Sequence, residues 1–150
     1  MAQWNRLIEA PPDAVWAVLS DGRSYARFVV GTHESWEQDG QWPVAGAELG
    51  YTLKLGPWSY QGRTVSRVCE PVHRLELEAR THLGSARIAF RIEPWGDGTL
   101  VVVDEHPLQG PAARWHNSGA DALLRWRHRK MLDRLDRVAV STRDRAHGRA

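Results

Sequence analysis

The sequence predicts an α+β domain: a curved antiparallel sheet of about seven strands, two short helices after the first strand, and one long C-terminal helix. Three observations carry this. Between residues 33 and 106, short β-type runs are separated by turn signals at hairpin spacing, among them Asp39-Gly40, Gly56-Pro57, Leu83-Gly84 and Gly96-Asp97-Gly98. Several runs alternate apolar with charged residues, so the sheet has one face to bury and one to solvate. Asn117–Val140 is the one long stretch with a sustained helical stripe, and it alone is large enough to cover that face.

Each element follows from local chemistry. Trp4–Glu9 reads as a short extended segment, stopped by Ala10-Pro11-Pro12-Asp13. Pro is tolerated in a first helical turn and Asp suits its positive end, so Ala14–Leu19 is a short helix, ended by Ser20-Asp21-Gly22. Ser24–Phe28 allows one further turn, which leaves no room for a βαβ crossover. His33–Gln38 is a short strand. Glu48–Leu55 sets Leu49, Tyr51, Leu53 and Leu55 on one face, Trp58–Glu70 alternates poorly, and Arg74–Thr81 alternates cleanly. Ser85–Glu93 places Ala86, Ile88, Phe90 and Ile92 on one face, and Thr99–His106 is the last strand.

In the closing helix, Ser118 is positioned to cap and Asp121 adds charge to the first turn. Ala120, Leu124, Met131, Leu135 and Val138 share one side, with Leu132 and Ala139 on one flank and Leu123 on the other. About 23 residues without an interior Gly or Pro span roughly 34 Å. The middle of the stripe is polar, with Arg127 and His128 at its edges: either this turn faces a cavity, or both side chains reach outward to water. Trp126 points away from the stripe, toward a loop or a partner subunit.

A chain of 150 residues can bury a core without staples. Residues 1–142 read as a single domain and 143–150 as a flexible basic tail. With one cysteine, Cys69, there is neither an internal disulfide nor a multi-cysteine metal site, and Cys69 itself reads as a small buried apolar group. The N-terminus carries no apolar export signal and no run is long enough to span a membrane, so the expected compartment is the cytoplasm. Net charge is −4 over residues 1–113 and +6 over residues 114–150. A basic helix of this kind is expected to be a solvated face pairing with Asp133 and Asp136, and no nucleic-acid partner is expected. His33, His73, His82, His106, His116 and His128 follow no metal-ligand spacing, and neither GxGxxG nor a P-loop occurs, so no metal and no cofactor is expected. Eight tryptophans fit no repeat.

Several features together carry a family resemblance. They are Pro12-Asp13-Ala14-Val15-Trp16 after the first strand, the six-strand meander, the exit Glu105-His106-Pro107-Leu108-Gln109-Gly110-Pro111, and the Arg-rich closing helix. With these, nearly the whole chain resembles the START/Bet v 1-like (SRPBCC) superfamily, and within it the polyketide cyclase/dehydrase-like group. The resemblance implies a helix-grip fold with an apolar cavity between sheet and C-terminal helix. Members of the superfamily bind lipids, polyketides and other hydrophobic molecules; some are enzymes, others carriers or co-chaperones.

Asp104, Glu105 and His106 form the densest ionisable cluster in an apolar strand. Asp104 and His106 share one face and Glu105 takes the other. If the former face inward they form a carboxylate–imidazole pair able to abstract a proton beside a carbonyl; if Glu105 does, a buried carboxylate takes that role. A five-residue loop at Pro94–Gly98 would pair Ile92 with Leu100 and turn Asp104 and His106 inward, and a one-residue shift reverses this. The alternative is that these groups sit at the strand end and pair with helix arginines. For a ligand, the candidate contacts are Tyr51, Tyr60, Phe90, Trp115, His116, Leu124, His128 and Met131. The tyrosines also fit as aromatic lining with hydroxyls at the rim.

Three functions follow. The first is binding of a small hydrophobic molecule between sheet and helix, by a monomer or homodimer. The second is a cyclase/dehydratase-type enzyme using an acid/base pair in the same cavity. The third is a protein-interaction module using the basic helix and Trp126.

Overall fold

In the computed structural model of the chain, the backbone of residues 2–29, 32–81, 84–109 and 118–148 is described. Within these, the side chains of Ala2, Leu55, Thr81 and residues 107–109, 118–125, 127–128 and 146–148 are not described. Strand β1 (Ala2–Ile8) ends just before the Pro11-Pro12 run, and helix α1 (Pro12–Leu19) starts on Pro12, where no intrahelical N–H bond is lost. Helix α2 (Tyr25–Phe28) is a single turn, held by the Ser24 hydroxyl donating to Asp21.

Six strands then run as a meander: β2 (Thr32–Asp39), β3 (Glu48–Leu55), β4 (Trp58–Glu70), β5 (Arg74–Thr81), β6 (Gly84–Trp95) and β7 (Gly98–Gln109). The sheet order is β1-β7-β6-β5-β4-β3-β2, antiparallel throughout, so β1 and β2 are its edges. Bulges interrupt β2–β3, β4–β5 and β6–β7 and bend the strands locally.

The β6–β7 hairpin is tighter than the five-residue loop. Trp95 pairs with Gly98, leaving only Gly96 and Asp97 in the turn, and Gly96 takes φ 58°. A positive φ at the first central position matches the twist of the flanking strands and is open to glycine. Ile92 therefore lies opposite Val101, one residue from the Leu100 pairing, and every side chain of β7 changes face.

The inner face carries Leu49, Tyr51, Leu75, Leu77, Ile88, Phe90, Ile92, Val101 and Val103, all in one core. Val15, Val18 and Leu19 of α1 join them, as do Tyr25 and Phe28 of α2. Phe28 meets Phe90 edge-on at 6.1 Å, and Tyr25 lies 5.6 Å from Tyr51. The Tyr25 and Thr64 hydroxyls share a buried 2.8 Å hydrogen bond. The outer face is a ladder of arginines and glutamates.

Helix α3 (Ser118–Gly148) continues past residue 142, where the flexible tail is expected to begin. It packs on α1, α2 and β1. That placement rotates the buried stripe toward one flank: Met131, Leu132, Leu135 and Ala139 are buried while Val138 is half-buried. Arg6 of β1 ties the helix to the sheet edge, its Nε donating to Asp136 at 2.9 Å and its Nη2 3.2 Å from Asp133. Further on, Arg143 donates to the backbone carbonyl of Glu9. Among the described residues no helix is long and apolar enough to cross a membrane.

Candidate functional site between sheet and closing helix

The inner face is not covered evenly. At the end where β1 and β7 meet the start of α1, its residues are sealed: Ile8, Val101, Ile92, Phe90 and Leu75 are buried. At the other end β2 begins, β7 ends, and the β3–β4 and β5–β6 hairpins turn. There Leu53, Tyr60, Ala79 and Ala86, on the same inner face, are only half-buried. Trp58, at the tip of the β3–β4 hairpin, is 64% exposed.

Glu105 lies on the boundary between the two halves. It alternates with Val101 and Val103, opposes Ile88 on β6 and Ala2 on β1, and is 8% exposed. It is thus a carboxyl turned to the apolar side of the sheet. Asp104 and His106 project from the outer face, beside Ala89 and Arg87 of β6. Their side chains are 33% and 41% exposed, with His106 Nε2 3.4 Å from Asp104 Oδ1. The Asp104 Oδ1 atom is itself shielded from water and has no hydrogen-bond partner among the described residues. The register decides which residue of this strand faces inward: it is Glu105, because the tight hairpin sends its neighbours outward.

Tyr51 is buried against Tyr25, and the close passage of its ring over β4 depends on Gly62, where a Cβ would fall 2.5 Å from Tyr51 Cζ. Tyr60 sits on the inner face in the half-covered region, whereas Phe90 is sealed into the core against Phe28. Met131 is buried beneath α3. Trp115 and His116 lie outside the described residues, as do the side chains of Leu124 and His128. Trp126 is 52% exposed, next to the exposed Arg129 and Lys130.

One polar group escaped the sequence reading. Thr32 stands on the inner face opposite Leu53, 8% exposed, and its hydroxyl is buried without a hydrogen-bond partner among the described residues. Nothing in the run Thr32–Asp39 signals this, because a bulge after Thr32 resets which face its neighbours take. Burial pushes the Cys69 thiol up, so it is a poor nucleophile. Among the described residues, no three His, Cys, Asp or Glu side chains gather as a metal site requires.

Comparison with known proteins agrees with this geometry. The fold is similar to a START superfamily protein from Mycobacterium smegmatis (TM-score 0.76, 15% identity, 93% of this chain and 97% of that one). It is also similar to Ara h 8.0201 (TM-score 0.75, 8% identity, 93% and 97%). A third likeness is to protein NE0264 from Nitrosomonas europaea (TM-score 0.73, 10% identity, 93% and 94%). Identities this low speak for the fold, which is the START/Bet v 1 helix-grip fold. No curated protein matches the sequence. The model of the family described as "Polyketide cyclase / dehydrase and lipid transport" matches residues 5–140. The sheet gripping its last helix and the match over nearly the whole chain lead to one statement: this chain belongs to the polyketide cyclase/dehydrase and lipid transport family.

Proposed function

We propose that the protein binds a small, largely apolar molecule carrying at least one hydrogen-bonding group, held between the half-covered part of the inner face and α3. The observation that carries this is the uneven burial of a single apolar face. Leu53, Tyr60, Ala79 and Ala86 point the same way as the sealed core residues yet keep contact with solvent. Apolar surface left accessible on a concave face gains about 25 cal/mol per Å² when a ligand covers it. Glu105 and the Thr32 hydroxyl, which has no partner among the described residues, are polar groups on that face that would orient the ligand. Native mass spectrometry of the freshly purified protein tests the reading. A retained small molecule of apolar character is the expected result. Failure of a panel of fatty acids and polycyclic aromatics to bind at high micromolar concentration would sink it.

A second reading draws on Glu105 alone. A carboxylate on the apolar side of the sheet would serve for proton abstraction beside a carbonyl, as a cyclisation or dehydration needs. It differs from simple binding in requiring turnover that Glu105→Gln removes while ligand is still held.

A further inference from the structure

Nine of the fourteen arginines whose side chains are described are paired with a carboxylate. All six on the outer face of the sheet lie within 4 Å of a carboxylate, and Arg6, Arg137 and Arg143 are paired as well. The other five are Arg129, Arg134 and the trio Arg23, Arg27 and Arg145. Among the described residues none of them has a carboxylate partner, and Arg145 makes only a long contact, Nε to the Ser141 carbonyl at 3.5 Å. These three meet in one groove, of about 520 Å³, between the α1–α2 segment and the C-terminal part of α3. Its floor is apolar, formed by Ala17, Val18 and Val138. Arg134, one turn before Val138 on the same side of α3, is unpaired too.

The groove has no anion of its own to offer them. Asp21 is its one acidic residue, and both its oxygens are engaged locally: Oδ1 accepts from the Arg23 backbone N–H and Oδ2 from the Ser24 hydroxyl, each at 3.0 Å. The Thr142 hydroxyl is committed to the Val138 carbonyl at 2.9 Å. Of the eighteen acidic side chains in the sequence, only that of Asp121 lies outside the described set. It stands 24 residues before Arg145, roughly 36 Å along the helix. Cations gathered without a counter-charge repel one another, and a bound anion removes that cost.

We propose that this groove is a binding site for a small organic phosphate monoester. Its dianionic head would be held by Arg23, Arg27 and Arg145, and its apolar part would rest on Ala17, Val18 and Val138. Several guanidinium forks suit a tetrahedral oxyanion with three free oxygens better than a single carboxylate, which has two. The groove shares no named residue with the ligand space proposed above, so it stands or falls separately.

Titration calorimetry with phenyl phosphate at constant ionic strength tests it. Saturable one-to-one binding is expected, with Kd raised at least tenfold in R23A/R27A and in R145A. The control R129A/K130A removes as much charge from another exposed part of α3 and should change Kd less than twofold. Arg→Lys changes at 23 and 27 keep charge but lose the fork, and should weaken binding less than alanine. Circular dichroism checks that each variant is folded, as exposed positions should allow. Absence of saturation overturns the proposal, and so does equal weakening in the control, which would reduce the effect to general attraction of counter-ions.

Discussion

Two glutamates show how burial and partners set the role of a residue. Glu76 is buried on the outer face, between Arg74 Nη2 at 2.9 Å and Arg87 Nη2 at 2.8 Å. Burial pushes its carboxyl up, but the hydrogen bonds and charges of Arg74 and Arg87 together outweigh that and hold it below the ordinary range. The Arg80 and Arg67 hydrogen bonds likewise lower Glu78. A folded-state value below the ordinary 4.5 means the fold favours the ionised form. The resulting stability is present above that pH and is lost as pH falls through the depressed value. Glu76→Gln should cost about 1–3 kcal/mol at neutral pH and flatten the acid limb of the stability curve, as read by urea unfolding at a series of pH values. Its partners' exposed ends temper the effect. Glu105 stands on the opposite, inner face, alternating with Val101 and Val103. Under the ligand-binding reading, Glu105→Gln should leave the fold intact and weaken a donor-bearing ligand at least tenfold, while a purely apolar one is held as before; equal binding of both classes by wild type and variant would count against it. The density of the Asp104-Glu105-His106 cluster was legible in the sequence. Which member faced inward was not, because that depends on how many residues the preceding turn spends.

Among the elements, α3 and the β1–β7 pair matter most for the site. Leu135 is fully buried where α3 meets the core. Leu135→Ala should cost about 2–5 kcal/mol, seen as a lower urea midpoint with an unchanged m-value. At the start of β7, Gly98 passes so close to β1 that a Cβ would stand 2.5 Å from the Ile8 carbonyl oxygen. Backbone cannot yield there as a side chain can, so Gly98→Ala should destabilise by about 1–3 kcal/mol. Loss of hydrogen-exchange protection at the β1–β7 pairing would locate the damage. The exposed edge β2 carries Glu34, Glu37 and Asp39, charges that oppose pairing with another chain. The helix stripe was correctly seen as amphipathic in the sequence, but its buried centre moved to Leu132 and Ala139 because α1, α2 and β1 share the contact.

For the whole molecule, one face of the sheet is charged and paired outward, and the other is divided into a sealed half and an accessible half. A ligand in the accessible half binds only the folded protein, so stability should rise with its concentration, by about 2.7 kcal/mol at one hundred times Kd. A melting temperature independent of a ligand already shown to bind would contradict placement in the fold. Binding of phenyl phosphate in the arginine groove would add to this independently, since the two sites share no residue named for either.

What the sequence by itself determined was the order of elements and the family. Alternation, turn residues and one helical stripe are written in near neighbours, and the physics that reads them acts over a few residues. Pro12-Asp13-Ala14-Val15-Trp16, the six-strand meander, the Glu105–Pro111 exit and the closing helix together placed the chain among its relatives. Tertiary structure alone decided the inward turn of Glu105, the buried Thr32 hydroxyl, the half-open inner face and the meeting of Arg23, Arg27 and Arg145. Each depends on strand register or on surfaces joined across more than a hundred residues of chain, and a one-residue difference in a turn is invisible to periodicity yet exchanges the two faces of a strand.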